Sequence, residues 1–341
     1  LQTGKYPAEV GVFTNHRLLP VHENTLAKRM SAAGYEVGYI GKWHLASCGP
    51  LDGPDNYRTR PVPPERRGGY VDYWLASDTL EFTSHSYDGY MFDASGNRVD
   101  FPPGRYRADV LTDWTLDYLR SRDGQRPFFL FLSYIEPHHQ NDHNRYEGPQ
   151  GSKERFRDYV VPGDLVGTED VGDWPQNYPD YLGCCRSLDD NLGRIRAELA
   201  RLGLADNTLV VYTSDHGSHF RTRNAEYKRS CHEGCIRMQA ACCRDCEKHN
   251  TNRNEDYRIR GHVDPSFFSP ALQPNLRGRE SACHGNGTIL TISISELTRS
   301  RAVNQAPGTG DAKVRPNTGP CTRRRCGRHA APSFSVLWAA S

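Results

Sequence analysis

From Leu182 onward the apolar positions step by three or four residues: Leu182, Cys185, Leu188, Leu192, Ile195, Leu199 and Leu202. That spacing keeps one face of a helix apolar, and Gly203 supplies the residue type that most easily closes a helix in the left-handed conformation. The next run, Thr208 to Thr213, is almost wholly apolar and predicts a strand. The same two-part plan occurs twice earlier. Asn24 to Ala33 carries Leu26, Met30 and Ala33 at helical spacing, stops at Gly34 and gives way to the strand-like Tyr35-Glu-Val-Gly-Tyr-Ile40. Ala108 to Arg122 aligns Leu111, Thr115, Tyr118 and Leu119 on one face and precedes Phe128-Phe-Leu-Phe-Leu-Ser-Tyr134. Strands that read as unbroken apolar runs are covered on both faces. Their alternation with helices predicts an α/β fold, a mostly parallel sheet flanked by helices.

Two stretches break this plan. Between Gly49 and Pro103 the chain turns to Pro, Gly, Arg and aromatic residues, as in PVPPERRGGYVDYW and SHSYDGY. This predicts long loops that decorate the sheet, forming either a substrate-facing rim or a solvated insertion. Beyond Met238 neither apolar period persists, arginine displaces lysine, and the chain runs out through PCTRRRCGRHAAPSF; Thr288 to Leu297 alone resembles a strand. So few apolar residues have little means of offsetting the entropy of ordering the chain. The expected division is a patterned unit, residues 1–238, and a poorly patterned, disordered tail, residues 239–341.

Composition narrows the partners. A formal charge of +2 on 341 residues leaves no net field that would argue for nucleic acid or an anionic membrane. No apolar stretch approaches the length of a bilayer span. Of the 11 cysteines, only Cys48, Cys184 and Cys185 precede Ser230, a distribution that complicates a disulfide reading. The chain opens on Leu1 with LQTGKYP, which reads as the interior of a longer sequence, so the lack of a visible secretory signal carries little information.

In open parallel sheets ligands bind beyond the carboxyl ends of the strands. The first strand ends in IGKWHL; if the backbone stays extended, Lys42 and His44 point to the same side. The second ends in YIEPHHQNDHNRY, with His138 directly after Pro137. The third ends in SDHG, giving Asp215 and His216, with Lys228 thirteen residues beyond Asp215. Each alone has an ordinary reading, as a surface pair, a loop histidine or a helix cap. Together they describe a pocket of two lysines, several imidazoles and a carboxylate whose burial calls for a metal or a hydrogen-bonded partner. Such a pocket suits a sulfate or phosphate ester, whose cleavage spreads negative charge over peripheral oxygens. No nucleophile accompanies these residues.

At these positions the chain resembles the sulfatase family. GYEVGYIGKWHL is similar to that family's second signature, G-Y-x-T-x-x-I-G-K-W-H-L, with Val37 in place of the usual Ser or Thr. LQTGKYP resembles the tail of the first signature, C-x-P-S-R-x-x-L-x-T-G-x-x-P, and SDHG, Lys228 and Glu233-Gly-Cys-Ile-Arg237 resemble its S-D-N-G, K and E-G-G-x-R-V-P run. The likeness spans residues 1 to 238 and implies a formylglycine-dependent sulfuric ester hydrolase with an alkaline-phosphatase-like domain. It implies that Asp215 and His216 bind a divalent metal, usually calcium. Lys42 and His44 would contact the nucleophile and the sulfate, Lys228 would bind sulfate oxygens, and His138 would protonate the leaving group. It further implies an extracytoplasmic location, whether secreted, periplasmic or lysosomal.

The departures carry expectations of their own. The signature cysteine, source of the formylglycine nucleophile, aligns seven residues before Leu1, and the aspartate pair that completes the metal site falls there too; the 341-residue chain is accordingly expected not to turn over an aryl sulfate. His216 replaces the commoner Asn. Calcium prefers oxygen ligands and imidazole suits zinc, manganese or iron, so His216 either ligates the metal or orients Asp215. The break inside the third motif after Met238 suggests a shifted reading frame or an unspliced intron. Arg221 and Arg223, with the Arg- and Tyr-rich loops, are candidates to hold a sulfated carbohydrate or smaller sulfated substrate, or are solvated loop charges. Two rival readings stand beside the sulfatase: a phosphoesterase or phosphonate hydrolase of the same superfamily, and a non-catalytic fragment with a Cys- and Arg-rich binding tail. In the second, Cys242, Cys243, Cys246 and His249 would form half a zinc site.

Overall fold

Ten consecutive buried residues, Phe128–Pro137, form the strand β5 and use both faces of the sheet. Phe128, Leu130, Leu132 and Tyr134 enter one apolar cluster with Leu111, Tyr118, Leu188, Ile195 and Leu199. Phe129 and Phe131 enter a second with Ala27, Val37, Tyr39 and Trp74. Alternate side chains of a strand face opposite ways, so a doubly covered strand has to be apolar throughout. The computed structural model describes residues 1–236, 240–243 and 333–340.

Strand β1 (Glu36–Lys42) pairs in parallel with β5, with Tyr39 opposite Phe131 and Gly41 opposite Ser133. Strand β2 (Tyr73–Ser77) lies parallel on the other side of β1. Beyond β2, β3 (Tyr90–Asp93) and β4 (Arg98–Asp100) add antiparallel edge strands. On the far side, β6 (Thr208–Ser214) is bordered by the antiparallel β7 (Ala240–Cys243). Strand β8 (Ser333–Ala340) fills the slot between β5 and β6, parallel to both. The order is β4-β3-β2-β1-β5-β8-β6-β7. Helix α1 (Leu26–Ala32) covers the face that holds Phe129 and Phe131. Helices α2 (Arg107–Ser121) and α4 (Trp174–Arg201) cover the opposite face, and the single-turn α3 (Ser152–Arg155) packs on α4.

The three helix–strand units appear where the apolar spacing predicts them, and Gly34 and Gly203 take φ of +87° and +69° at the helix ends. Helix α4 starts at Trp174, two turns before the expected Leu182. Pro175 and Pro179 hide those turns from a periodicity reading, because Pro removes one intrahelical donor without preventing the helix near its start. The stretch expected as loops between Gly49 and Pro103 also contains β2, β3 and β4. Strand β2 was hidden by its brevity: three apolar residues, Trp74 and Ala76 facing one cluster and Leu75 the other, fall below any detectable period.

Strands β7 and β8 come from the segment whose sequence sustains neither period, and β8 has no counterpart among the predicted elements. The strand expected at 288–297 lies outside the described residues, as do Cys246 and His249. Among the described residues Cys48, Cys184, Cys185, Cys231 and Cys235 are free thiols, and no helix is long and apolar enough to cross a membrane.

Candidate active site

The end of β1 is set by a glycine. Gly41 has φ +111°, and a Cβ built there would lie 1.9 Å from the Ser133 carbonyl oxygen, so only a residue without a side chain lets β1 and β5 approach. Next comes Lys42, buried, with Nζ 2.9 Å from Glu81 Oε1. Trp43 packs its ring against Tyr39, Tyr70 and Trp74 and donates Nε1–H to the Arg66 carbonyl at 3.0 Å, which anchors the turn. The backbone does not stay extended: His44 has φ +55°. Buried Asp78 holds this bend, its carbonyl accepting from His44 N–H at 2.6 Å and its Oδ1 from the N–H groups of Leu45 and Ala46 at 3.0 and 2.9 Å. Lys42 and His44 nevertheless remain electrostatic neighbours. Burial, helped by the Lys42 charge, pushes the His44 imidazole down to about 3 and keeps it neutral.

His138 follows β5, whose end is clamped by the buried pair Arg107 Nε and Glu136 Oε1 at 2.8 Å. Its Nδ1 lies 2.5 Å from the His139 carbonyl oxygen, which can only accept, so Nδ1 carries the proton and Nε2 is the bare nitrogen. That Nε2 faces Lys228 Nζ at 3.5 Å. Burial and then the Lys42 charge hold His138 well below the usual histidine range. Burial and Lys42 also lower the Lys228 ammonium, with Asp215 and Glu81 opposing.

Asp215 and His216 follow β6. His216 Nδ1 lies 2.9 Å from the Gly217 carbonyl, which again leaves Nε2 unprotonated, and Nε2 lies 3.3 Å from Asp215 Oδ2. Two ligands sharing one ion at metal–ligand lengths near 2.1 Å sit about 3.3 Å apart, so this pair fits a divalent cation. Burial lowers the His216 imidazole, which favours the neutral, ligating form. Glu233 opens the single-turn α5 (Glu233–Ile236), which closes on this loop through the Gly217 N–H and Cys235 carbonyl at 2.8 Å.

The sulfatase family model matches residues 1–259, three quarters of the chain and more, with all three strand-end clusters inside it. The chain belongs to the sulfatase family. It is 30% identical over 224 residues to the ulvan-active sulfatase of Formosa agariphila, a match covering 64% of this chain and 40% of that protein. It is 24% identical over 310 residues to the N-acetylglucosamine-6-O-sulfatase of Bacteroides thetaiotaomicron, covering 69% and 51%. A solved sulfatase from the Bacteroides thetaiotaomicron locus for metabolism of multiple glycosaminoglycans aligns with TM-score 0.57 at 26% identity, covering 70% of this chain and 52% of that one. This sulfatase chain thus spans about half the length of these relatives, or less.

One charged residue of this cluster has no signal in the sequence pattern. Glu81, in the turn after β2, has a buried side chain; burial raises its carboxyl, but the Lys42 ammonium, through its charge and hydrogen bond, acts in the opposite direction and the net shift is downward, which keeps it ionised. Arg221 and Arg223 sit farther out. Arg221 donates to Asn144 Oδ1 at 2.7 Å, lies 3.6 Å from Asp173 Oδ2 and stacks over Tyr227, whereas exposed Arg223 reaches the Asp164 carbonyl at 3.2 Å. Neither is among the principal charges acting on His44, His138, His216 or Lys228.

Proposed function

We propose that the protein hydrolyses a sulfate ester on a sulfated carbohydrate, with Lys42, His44, His138 and Lys228 forming the oxyanion pocket and Asp215 and His216 holding a divalent metal. What supports this most is the convergence of two ammonium groups and two neutral imidazoles beyond the ends of β1, β5 and β6, in a chain of the sulfatase family.

Lys42 and Lys228 bind the peripheral sulfate oxygens, where negative charge gathers in the transition state. Glu81 holds Lys42 in place and offsets part of the positive charge of the ligand-free pocket. His44, neutral and partly buried, contacts the nucleophile or the sulfate without adding charge. His138 keeps its Nδ1–H on the His139 carbonyl and turns Nε2 to the leaving oxygen. An entering sulfate ester brings a negative charge beside His138 and counteracts the burial that keeps it neutral; Nε2 then takes up a proton and gives it to the leaving oxygen as the S–O bond breaks. The metal, when bound, neutralises charge on the sulfate oxygens. Calcium is the ion the family implies, and the His216 nitrogen makes zinc and manganese the ions to test beside it. The nucleophile of the family, a formylglycine hydrate, belongs to the signature of which Leu1–Pro7 resembles the tail.

The names of the two relatives, an ulvan-active sulfatase and an N-acetylglucosamine-6-O-sulfatase, support a saccharide as the alcohol part of the ester. Arg223 keeps donors for its acidic or sulfated groups, while Arg221 shapes the loop through Asp173 and Asn144. A location outside the cytoplasm belongs to the same reading. Binding tests it independently of the nucleophile. By calorimetry, N-acetylglucosamine 6-sulfate is expected to bind and the desulfated sugar not, and Lys228→Ala to weaken binding at least tenfold. Equal affinity for both sugars, or tighter binding of the 6-phosphate, would overturn the proposal.

A further inference from the structure

In the loops that follow β2 and β5, His85, Asp142 and His143 bring one ligand atom each within 4.8 Å of one another. His85 Nε2 lies 2.8 Å from Asp142 Oδ2, and His143 Nε2 lies 4.0 Å from the same oxygen. The two imidazole rings stack, with centroids 4.5 Å apart and planes 10° apart. Ligands on a tetrahedral zinc at its usual bond lengths are about 3.3 Å apart, so the two imidazole–carboxylate separations bracket the requirement, and the two ligand nitrogens lie within 4.8 Å of each other.

The outer shell is already in place. His85 Nδ1 lies 3.1 Å from Asp88 Oδ1, and His143 Nδ1 lies 2.6 Å from Glu147 Oε1. The other oxygen of Asp142 accepts from Gln140 Nε2 at 2.7 Å, and Glu147 is fixed by Ser86 Oγ at 2.7 Å and Arg145 Nη2 at 2.9 Å. A carboxylate on each Nδ1 fixes the tautomer in which that nitrogen carries the proton, turns Nε2 toward the shared oxygen and makes it a better donor. Surface ion pairs need no such two-layer arrangement, in which both histidines are held from behind and both point at one carboxylate.

We propose that His85, Asp142 and His143 form a second metal site, for zinc or a similar borderline divalent ion, distinct from the one at Asp215 and His216. Two nitrogens and one oxygen select such an ion over calcium or magnesium, which favour all-oxygen sets. The side chains are partly exposed, so a fourth position stays open to water or a ligand. That position borders a cavity of about 790 Å³ whose wall includes Glu81, Asp88, Asp100 and Asp142 along with His85 and Arg98. A divalent ion held by these three side chains would add positive charge to that wall. The consequence is a less negative wall facing any anionic ligand that occupies the cavity.

Zinc titration of the full chain against a chromophoric chelator tests this, with Asp215→Ala, His85→Ala, His143→Ala and the near-isosteric Asp142→Asn as variants. The Asp215→Ala protein is expected to keep one zinc equivalent that a hundredfold excess of calcium does not displace. His85→Ala, His143→Ala and Asp142→Asn are each expected to lose that zinc by at least tenfold in affinity while keeping the circular dichroism of the parent. Cobalt in the same site should show visible ligand-field bands that vanish in the His85 variant. Zinc affinity unchanged by all three substitutions, or no zinc retained in Asp215→Ala, would sink the proposal.

Discussion

At the scale of single residues the pocket is governed by one carboxylate. Glu81 is the only acid the structure sets directly on Lys42 among the described residues, and its charge favours the protonated forms of His44, His138 and Lys228. Glu81→Gln keeps the shape and a hydrogen-bond acceptor for Lys42 but removes that charge. The imidazole of His138, already depressed by burial, should then titrate at still lower pH, and Lys228 should lose its proton more readily. Ring-nitrogen NMR of His138 in the two proteins checks the direction; an upward or absent shift would mean that Glu81 does not act on the pocket electrostatically. The positions of Lys42, His44, His138, Asp215 and His216 were legible in the sequence because each lies at or just past the end of a strand that its apolar run announces. Glu81 obeys the same rule, since it follows β2, but β2 itself went unseen, and an acid in SDTLEF then has no strand end to be assigned to.

At the scale of elements the approach of β1 to β5 decides where Lys42 stands. Gly41→Ala would drive a methyl into the Ser133 carbonyl at a residue with φ +111°, and neither backbone atom is the end of a flexible side chain. The strands have to part, and a loss on the order of 3 kcal/mol or more in urea unfolding is expected, the range of overpacked or strained sites. Gly38→Ala is the control. Its Cβ would meet Leu130 Cδ1 at 3.1 Å, which a side-chain rotation relieves, and Tyr73 Cβ at 3.3 Å, which asks for a slight give of the β2 backbone, so its cost should be well below that of Gly41→Ala. Equal costs would contradict this account. Helices with a full apolar stripe were readable from spacing alone. The first turns of α4 were not, because Pro175 and Pro179 signal breaks even where their missing donors fall in the opening turns of a helix.

At the scale of the whole molecule, the parallel core was legible and the strand in the β5–β6 slot was not, because β8 arrives from a segment with no sustained period. The pocket in turn shapes how the fold responds to acid. His44 is partly buried and neutral, with its ordinary value of 6.5 lowered to about 3, and His138 is lowered in the same direction. Between those limits the unfolded chain binds a proton at His44 that the folded chain refuses, so this group makes stability rise with pH by about 1.4 kcal/mol per unit and fall as pH drops from 6.5 toward 3, and His138 acts with the same sign. Below the folded value the effect is complete and the slope vanishes. His44→Asn isolates the contribution, because Asn tolerates the left-handed backbone at φ +55° and does not titrate. Melting temperature measured from pH 7 to pH 4 should fall less steeply in this variant than in the parent, with His138 supplying part of the slope that persists. Parallel profiles in the two proteins would show that His44 is protonated equally in the folded and unfolded chains, and that its burial among Lys42, Glu81 and Lys228 does not hold it neutral.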